Sequence, residues 1–271
     1  MPNAPSARIH PTAVVAAEAE LGDGVEIGPY AVLDGRVRVG PNCVIRPYVH
    51  LVGPLTLGRG NQVFSGAVLG ERPQHQKYQG EPTALEIGDD NVFREHVTIH
   101  RGTSHSWTTR IGSNNFFMVG AHVAHDCQVG NGCILANGAM VGGHCVLQDN
   151  VYLSGNSAVH QFVRIGRLAL LSGVSGTTKD IPPFIIQQRI DTVVGVNVVG
   201  MRRAGLTPGQ IDAVRRAFHV IFRQNLALPN ALAQVERELG EVDAVAELVA
   251  FIRSSTRGIN VLRDAERREA A

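Results

Sequence analysis

The chain has 271 residues, a formal net charge of +1 and a hydrophobic fraction of 44%. That balance gives no case for nucleic acid or an anionic membrane surface, and no stretch approaches the roughly 20 apolar residues of a spanning helix. Residues Met1 to Arg8 lack the apolar region of a signal peptide, so a cytoplasmic protein with reduced thiols is expected.

From Ile9 an aliphatic residue recurs every six positions: Val15, Leu21, Ile27, Leu33, Val39, and so on to Leu69. The period resumes at Ile87, Phe93 and Ile99, then runs from Ile111 through Val123, Val141 and Val159 to Leu171. Neither a helix, with period 3.6, nor a flat strand, with period 2, produces a strict six. A hexapeptide repeat does, and it predicts a parallel β-helix. One hexad forms one short face, three hexads form one triangular coil, and the aliphatic side chain stacks on its equivalent 18 residues on. High Gly content (30 residues) and few aromatics (5%) suit a thin interior with tight corners. Cys43, Cys127, Cys133 and Cys145 all fall at the fifth hexad position, shared with Ala31, Ala67, Ala121, Ala139 and Ser157. They read as small residues in a second inward slot; the spacings of disulfide or zinc frameworks are absent.

The β-helix is expected over residues 8–190, with excursions near 71–86 and 102–110. The first insert, Glu71 to Thr83, is polar and rich in Pro and Gly. Loops thrown out of a rigid solenoid are where binding residues belong. Asp180-Ile-Pro-Pro-Phe184 ends the regular coil. A linker and helical bundle are expected over 191–271. Thr207-Pro208 predicts an N-cap and first helical residue, followed by an apolar stripe of Ile211, Val214, Ala217, Phe218, Ile221 and Phe222. Two further helices are expected near 230–239 and 242–252. Hexapeptide solenoids usually pack as trimers, and clefts between solenoids are natural sites.

Of 11 histidines, His100, His122, His125, His144 and His160 cluster in the middle coils. Adding 18 to His125 reaches Gly143, and 18 more reaches Gln161, so these three share one column along an edge. His144 and His160 flank that column. Two chemistries compete. Histidines can hold zinc, as in the carbonic anhydrases of this fold, with a zinc-bound water as nucleophile. Alternatively, one histidine is a general base, for which a side chain titrating near neutrality is suited. Asp126 is the only carboxylate near the cluster in sequence, which favours the base over the metal. A binding solenoid without catalysis is the third reading.

The segments Ile9-His-Pro-Thr12, Gly80-Glu-Pro-Thr83, Val97-Thr-Ile-His-Arg-Gly102, Ala121-His-Val-Ala-His-Asp-Cys127, Cys133-Ile-Leu-Ala-Asn137, Ala158-Val-His-Gln-Phe162 and Ser254-Ser-Thr-Arg-Gly258 carry a resemblance. Together they resemble the UDP-N-acetylglucosamine O-acyltransferases that begin lipid A synthesis, over almost the whole chain. The resemblance implies an all-β solenoid, a left-handed parallel β-helix, with a small C-terminal α-helical domain. It implies transfer of a 3-hydroxyacyl chain from acyl carrier protein to a UDP-amino sugar by a homotrimer, with no metal and no cofactor. His125 is then the base that takes the sugar hydroxyl proton, with Asp126 orienting it and the Gly143 N–H holding the oxyanion. His122, His144, His160, Gln161 and His100 position substrate. Gln74 and Lys77 reach to the nucleotide on a neighbouring subunit, and Asn197 and Arg203 contact nucleotide. Gly173 falls where acyl length is measured, and a glycine there implies about C14.

Two positions depart from the family pattern. His75 stands where an Asp commonly contacts the sugar, which keeps N-acylation of a 3-amino sugar open. Ala204 shortens the basic run to Arg202-Arg203. Arg202, Arg203, Arg215, Arg216 and Arg223 form either a face for the acidic carrier protein or a solvated surface. Another nucleotide sugar, or acyl-CoA as donor, is a related alternative that the first excursion argues against. No acyl-enzyme is expected, because every Cys reads as buried and no Ser or Cys has an evident base.

Overall fold

The computed structural model describes residues 6–260. The end of the expected C-terminal segment, 261–271, lies outside the described residues. The hexads build a parallel β-solenoid with three sheet faces, of 11, 9 and 8 strands. The first face begins at Arg8–Ile9, the second at Val14–Val15 and the third at Glu20–Leu21. Stacking follows the period of 18, for example Leu135 on Leu153 and Val123 on Val141. Across the first excursion the register lengthens to Val63 on Phe93, and across the second to Phe93 on Phe117. The excursions therefore leave the solenoid and return without disturbing the column of inward side chains.

That column is the core. Leu33, Ile45, Leu51, Leu57, Leu69, Ile99, Leu135 and Leu147 are essentially inaccessible. Each such side chain contributes roughly 1.5–3 kcal/mol by leaving water. Phe93 and Phe117 stack face to face at 4.9 Å where neighbouring coils are aliphatic. Corner residues take left-handed backbone conformations throughout, including Asn42, Asn114 and Asn150, for which the conformation is tolerated.

The fifth-position slot carries something the hexad pattern did not suggest. Asn61, Asn91 and Asn115 occupy it in successive coils, fully buried. Asn91 donates its backbone N–H and Nδ2 to Asn61 Oδ1, both at 3.0 Å. Asn115 N–H donates to Asn91 Oδ1, and Cys133 N–H to Asn115 Oδ1. A ladder of amides thus satisfies backbone donors on the interior side of one corner. The cysteines above it are small, buried residues.

After the last coil, Ile185–Gln188 pairs in parallel with Leu170–Leu171 and antiparallel with Thr192–Val196, closing the solenoid with a hairpin. Helix α1, Val198–Arg203, follows; its six residues include Gly200 and two valines, too short for a periodic signal. Helix α2, Pro208–Arg223, starts on a capping box in which Thr207 and Gln210 exchange hydrogen bonds. Helices α3, Leu228–Leu239, and α4, Asp243–Arg253, complete the bundle. α3 starts two residues earlier than its apolar pattern suggests, because Pro229 is accommodated in its first turn. The bundle docks on the final coils through Arg167–Glu247 and through Arg164, which donates to the Phe251 and Ser254 carbonyls.

Candidate active site

The site forms at the corner between the second and third faces, where His122–Val123 runs into Gln128–Val129. His125 is buried, and its Nδ1 lies 2.7 Å from Asp126 Oδ2. The second excursion explains why that carboxylate stays in place. Thr103 N–H and Ser106 N–H and Oγ donate to Oδ1, and Thr103 Oγ1 donates to Oδ2 at 2.7 Å. Burial alone would raise the Asp126 pKa, but donors from His125, Ser106 and Thr103 outweigh it and hold the group well below the usual carboxylate range. An ionised Asp126 accepting from Nδ1–H leaves His125 Nε2 as the free base.

Gly143 sits against the other side of that ring. A Cβ built there would lie 2.8 Å from His125 Cε1 and 3.0 Å from Nε2. Only glycine lets the backbone approach so closely. Among the described residues the Gly143 N–H meets no acceptor, while its carbonyl accepts from Phe162 N–H. A free donor thus lies beside the free base.

Around this pair, burial lowers the pKa of three further histidines. His144 stacks on Phe162 at 4.2 Å with nearly parallel rings, and burial lowers its pKa. Burial also lowers His122, against a hydrogen bond with Thr98 Oγ1 at 2.7 Å. His100 packs edge-on against His122, and burial with that neighbour pushes its pKa down to about 4. His160 and Gln161 are exposed on the next coil at the same corner.

The first excursion folds back so that the His75 ring lies edge-on to His125 at 5.4 Å. Gln74 and Lys77 are exposed beside it. Asn197 and Arg203 do not join this cluster; they line a groove with Tyr152, Leu170 and Ala204, at a different edge of the solenoid. Asn197 is already engaged, accepting from Gly200 N–H as the α1 cap and donating Nδ2 to the Leu168 carbonyl. Gly173 is exposed at the edge that precedes the second face, where a Cβ would meet the Gly155 carbonyl at 3.4 Å and Ser154 Cβ at 4.0 Å.

Thr103, Ser106, His105 and Arg257 belong to the site although no hexad pattern marks them, and Phe162 joins it two coils beyond Asp126 in the period of 18. His105 packs edge-on to His144 at 4.6 Å. Arg257, from the tail after α4, reaches His160. His125, Asp126 and His144 have ligand atoms close enough to share a metal ion. Both Asp126 oxygens are already committed to protein donors, so a cation there would have to displace them. Burial pushes the thiols of Cys43 and Cys133 up to about 11 and about 12, and raises Cys127, which removes them as nucleophiles.

This geometry can be set beside known proteins. Residues 108–143 match the bacterial transferase hexapeptide model (six repeats), and residues 180–260 match the second domain of UDP-N-acetylglucosamine O-acyltransferase. The acyl-(acyl-carrier-protein)–UDP-N-acetylglucosamine O-acyltransferase of Anaeromyxobacter sp. (strain Fw109-5) is 53% identical over 93% of this chain and 98% of its own. The protein of that name from Halorhodospira halophila is 46% identical over the same shares. The chain belongs to the UDP-N-acetylglucosamine O-acyltransferase family. Solved structures agree. The UDP-N-acetylglucosamine acyltransferase of Campylobacter jejuni superposes with a TM-score of 0.89 at 36% identity, covering 94% of this chain and 100% of that one. The Bacteroides fragilis family member gives 0.86 at 39%, covering 94% and 98%. It is an acyltransferase fold from its first coil to its helical bundle.

Proposed function

We propose that the chain transfers a 3-hydroxyacyl group from acyl carrier protein to the 3-hydroxyl of UDP-N-acetylglucosamine, the first step of lipid A biosynthesis. The observation that carries the mechanism is the His125–Asp126 pair facing a free Gly143 N–H. The sugar hydroxyl gives its proton to His125 Nε2 as its oxygen attacks the thioester carbonyl. The developing oxyanion accepts from the Gly143 N–H, the kind of contact that removes several kcal/mol from a barrier. Collapse breaks the carbon–sulfur bond, and the leaving carrier thiolate takes the proton back from His125. Transfer is direct, a reading supported by thiols that burial keeps protonated.

His122, His144, His160, Gln161 and His100 are assigned to substrate positioning, with Asp126 as the orienting carboxylate. The outward positions of the second face pass from the large His122 and Met140 to the small Ala158 and Gly176. That step, with the bare Gly173 edge, supports a track for an acyl chain of about C14. Asn197 and Arg203 stand at a different edge from His125, so their assignment to the nucleotide requires a second copy of the chain. This separation supports a homotrimer whose sites lie between subunits, with Gln74 and Lys77 reaching across. No helix among the described residues is long and apolar enough to cross a membrane; a cytoplasmic place of action is part of the proposal.

A second reading rests on His75. Its ring, against His125, is where substrate selection would be read, and it favours N-acylation of a 3-amino sugar nucleotide if the usual carboxylate is what selects a hydroxyl. The test is acyl transfer from 3-hydroxytetradecanoyl-acyl carrier protein to UDP-N-acetylglucosamine and to its 3-amino-3-deoxy analogue, with native protein and His125→Ala. Turnover of the hydroxyl sugar that disappears in the variant supports ester formation. Turnover of the amino sugar alone moves the enzyme to amide formation. Full activity of His125→Ala overturns the general-base assignment.

A further inference from the structure

The Ser254-Ser-Thr-Arg-Gly258 tail leaves α4 and straps itself onto the last coil. Ser255 Oγ donates to Asp180 Oδ2 at 2.8 Å, and Asp180 N–H donates to the Gly258 carbonyl at 3.1 Å. Between these two anchors, Arg257 points at the active-site corner. Its Nε and Nη2 both donate to the Thr178 carbonyl, at 3.1 and 3.0 Å. Nη2 also lies 3.2 Å from His160 Nδ1. The Gln161 carbonyl oxygen lies 3.1 Å from the same nitrogen.

These two contacts are incompatible. A carbonyl oxygen can only accept, so it requires Nδ1 to carry a proton. A guanidinium can only donate and never gives up its charge, so it requires a bare Nδ1 lone pair. One nitrogen cannot satisfy both. A charge-assisted hydrogen bond is roughly twice as strong as a neutral one, and an N–H facing an arginine N–H would be repelled. The Gln161 carbonyl, on an exposed residue, keeps access to water.

We propose that Arg257 is a positioning residue that selects the tautomer of His160, leaving Nδ1 bare and Nε2 protonated. His160 then presents a hydrogen-bond donor to the substrate cleft. Without Arg257, Nδ1 takes the proton, donates to the Gln161 carbonyl, and Nε2 becomes an acceptor. A substrate oxygen that accepts from Nε2–H in the native protein would then face a lone pair. The step from tautomer to catalysis rests on the proposed acyl-transfer reading, which places His160 in the site; the tautomer itself does not.

The test is nitrogen-15 NMR of histidine side chains in the full-length protein, with the His160 signals identified by their loss in His160→Gln. The native protein is expected to show an Nε2–H His160 ring, and Arg257→Met an Nδ1–H ring. A native Nδ1–H ring, or an unchanged tautomer in Arg257→Met, overturns the proposal. The native spectrum decides this even if the variant folds poorly. Activity gives an independent reading. Gln carries an NH2 group near the place of Nε2–H, so His160→Gln should retain more acyl transfer than His160→Asn. Arg257→Met alone should lower kcat/KM about tenfold, and should cost little more on top of His160→Gln, because the two residues act as a unit. Additive losses overturn the coupling. A tautomer that flips while His160→Ala keeps full activity leaves the Arg257 assignment standing and sinks the place of His160 in the reaction.

Discussion

His125 and Asp126 are consecutive in sequence, yet Asp126 Oδ2 lies 2.7 Å from His125 Nδ1. Neighbouring residues in extended backbone point to opposite sides. The contact exists because Asp126 takes a left-handed corner conformation, φ 62°, which swings its carboxylate back toward the preceding ring. His144 and Phe162 have the same conformation one and two coils on, so the solenoid corner supplies it. Asp126→Asn keeps the size but removes the negative charge that stabilises the imidazolium and weakens the choice of Nδ1–H tautomer. It should lower kcat by roughly 10- to 100-fold, with His125→Ala falling further, in keeping with general base catalysis. Steady-state kinetics check this; an Asn variant with native kcat removes the orienting role.

The four donors from Thr103 and Ser106 predict a related effect. Thr103→Val with Ser106→Ala removes the two hydroxyl donors and leaves the two backbone N–H donors, so the buried Asp126 carboxylate keeps fewer partners and its pKa should rise. A depressed carboxylate contributes stability above its unfolded pKa, and that contribution is lost as pH falls through the folded one. The double variant should therefore be less stable than native protein at pH 7, by about 2 kcal/mol. The deficit should persist down to about pH 4, the ordinary carboxylate range, and shrink only below it, as pH falls toward the depressed folded pKa of native Asp126. Thermal melts across that range check it, and a pH-independent deficit would mean lost packing only.

Gly143→Ala tests the approach of backbone to ring. A methyl group would sit 2.8 Å from His125 Cε1, so the imidazole must move. Displacement of a reacting group by about 1 Å is enough to cost about 10²-fold in rate. We expect that loss in kcat with little change in melting temperature, because the corner backbone at Gly143 is not left-handed. Native activity in Gly143→Ala would separate the His125 ring position from catalysis.

Much of this was readable in the sequence for one physical reason: a solenoid turns a linear period into a spatial column. The inward stack of Leu135 on Leu153, and Gly143 beside His125, follow from spacing alone. The rest was lost wherever the period breaks. Thr103 meets Asp126 across an excursion of irregular length, and His75 reaches His125 by folding back over the corner, so no fixed offset announces either. The asparagine ladder was hidden because Asn61, Asn91 and Asn115 share a slot with alanines and cysteines, and spacing says nothing about amide pairing. Helix α1 was too short for periodicity, and it uses Asn197 as its cap.

His100 predicts acid sensitivity. Burial and the neighbouring His122 hold its pKa at about 4, against 6.5 in the unfolded chain. Between those values the unfolded state binds a proton that the folded state refuses, so stability falls as pH drops from 6.5 toward 4. The shift corresponds to roughly 3 kcal/mol at most, since each pH unit is worth 1.36 kcal/mol. His100→Gln removes the titrating group. Urea unfolding at pH 7 and pH 4.5 should show a smaller acid loss in the variant than in native protein. An equal loss in both would assign the acid sensitivity to other groups.

The helical bundle is joined to the solenoid by a fork between Arg167 and Glu247. Nη2 lies 2.6 Å from Oε2, and Nε lies 3.0 Å from Oε1. The Arg167 guanidinium also lies over the Phe184 ring at 5.0 Å, which fixes its plane. Both charged side chains are about one-third exposed, so solvent screens them, but bidentate geometry and a pinned arginine lift the pair above an ordinary surface bridge. A double-mutant cycle of Arg167→Met and Glu247→Gln should give a coupling of about 1 kcal/mol at low salt, reduced in 1 M NaCl. Because the pair ties α4 to the coil that carries Leu168, whose carbonyl holds Asn197, its loss should loosen the bundle before the solenoid. Hydrogen exchange should then quicken in α4 while the β-helix stays protected. Equal quickening in both parts would mean that bundle and solenoid unfold as one unit.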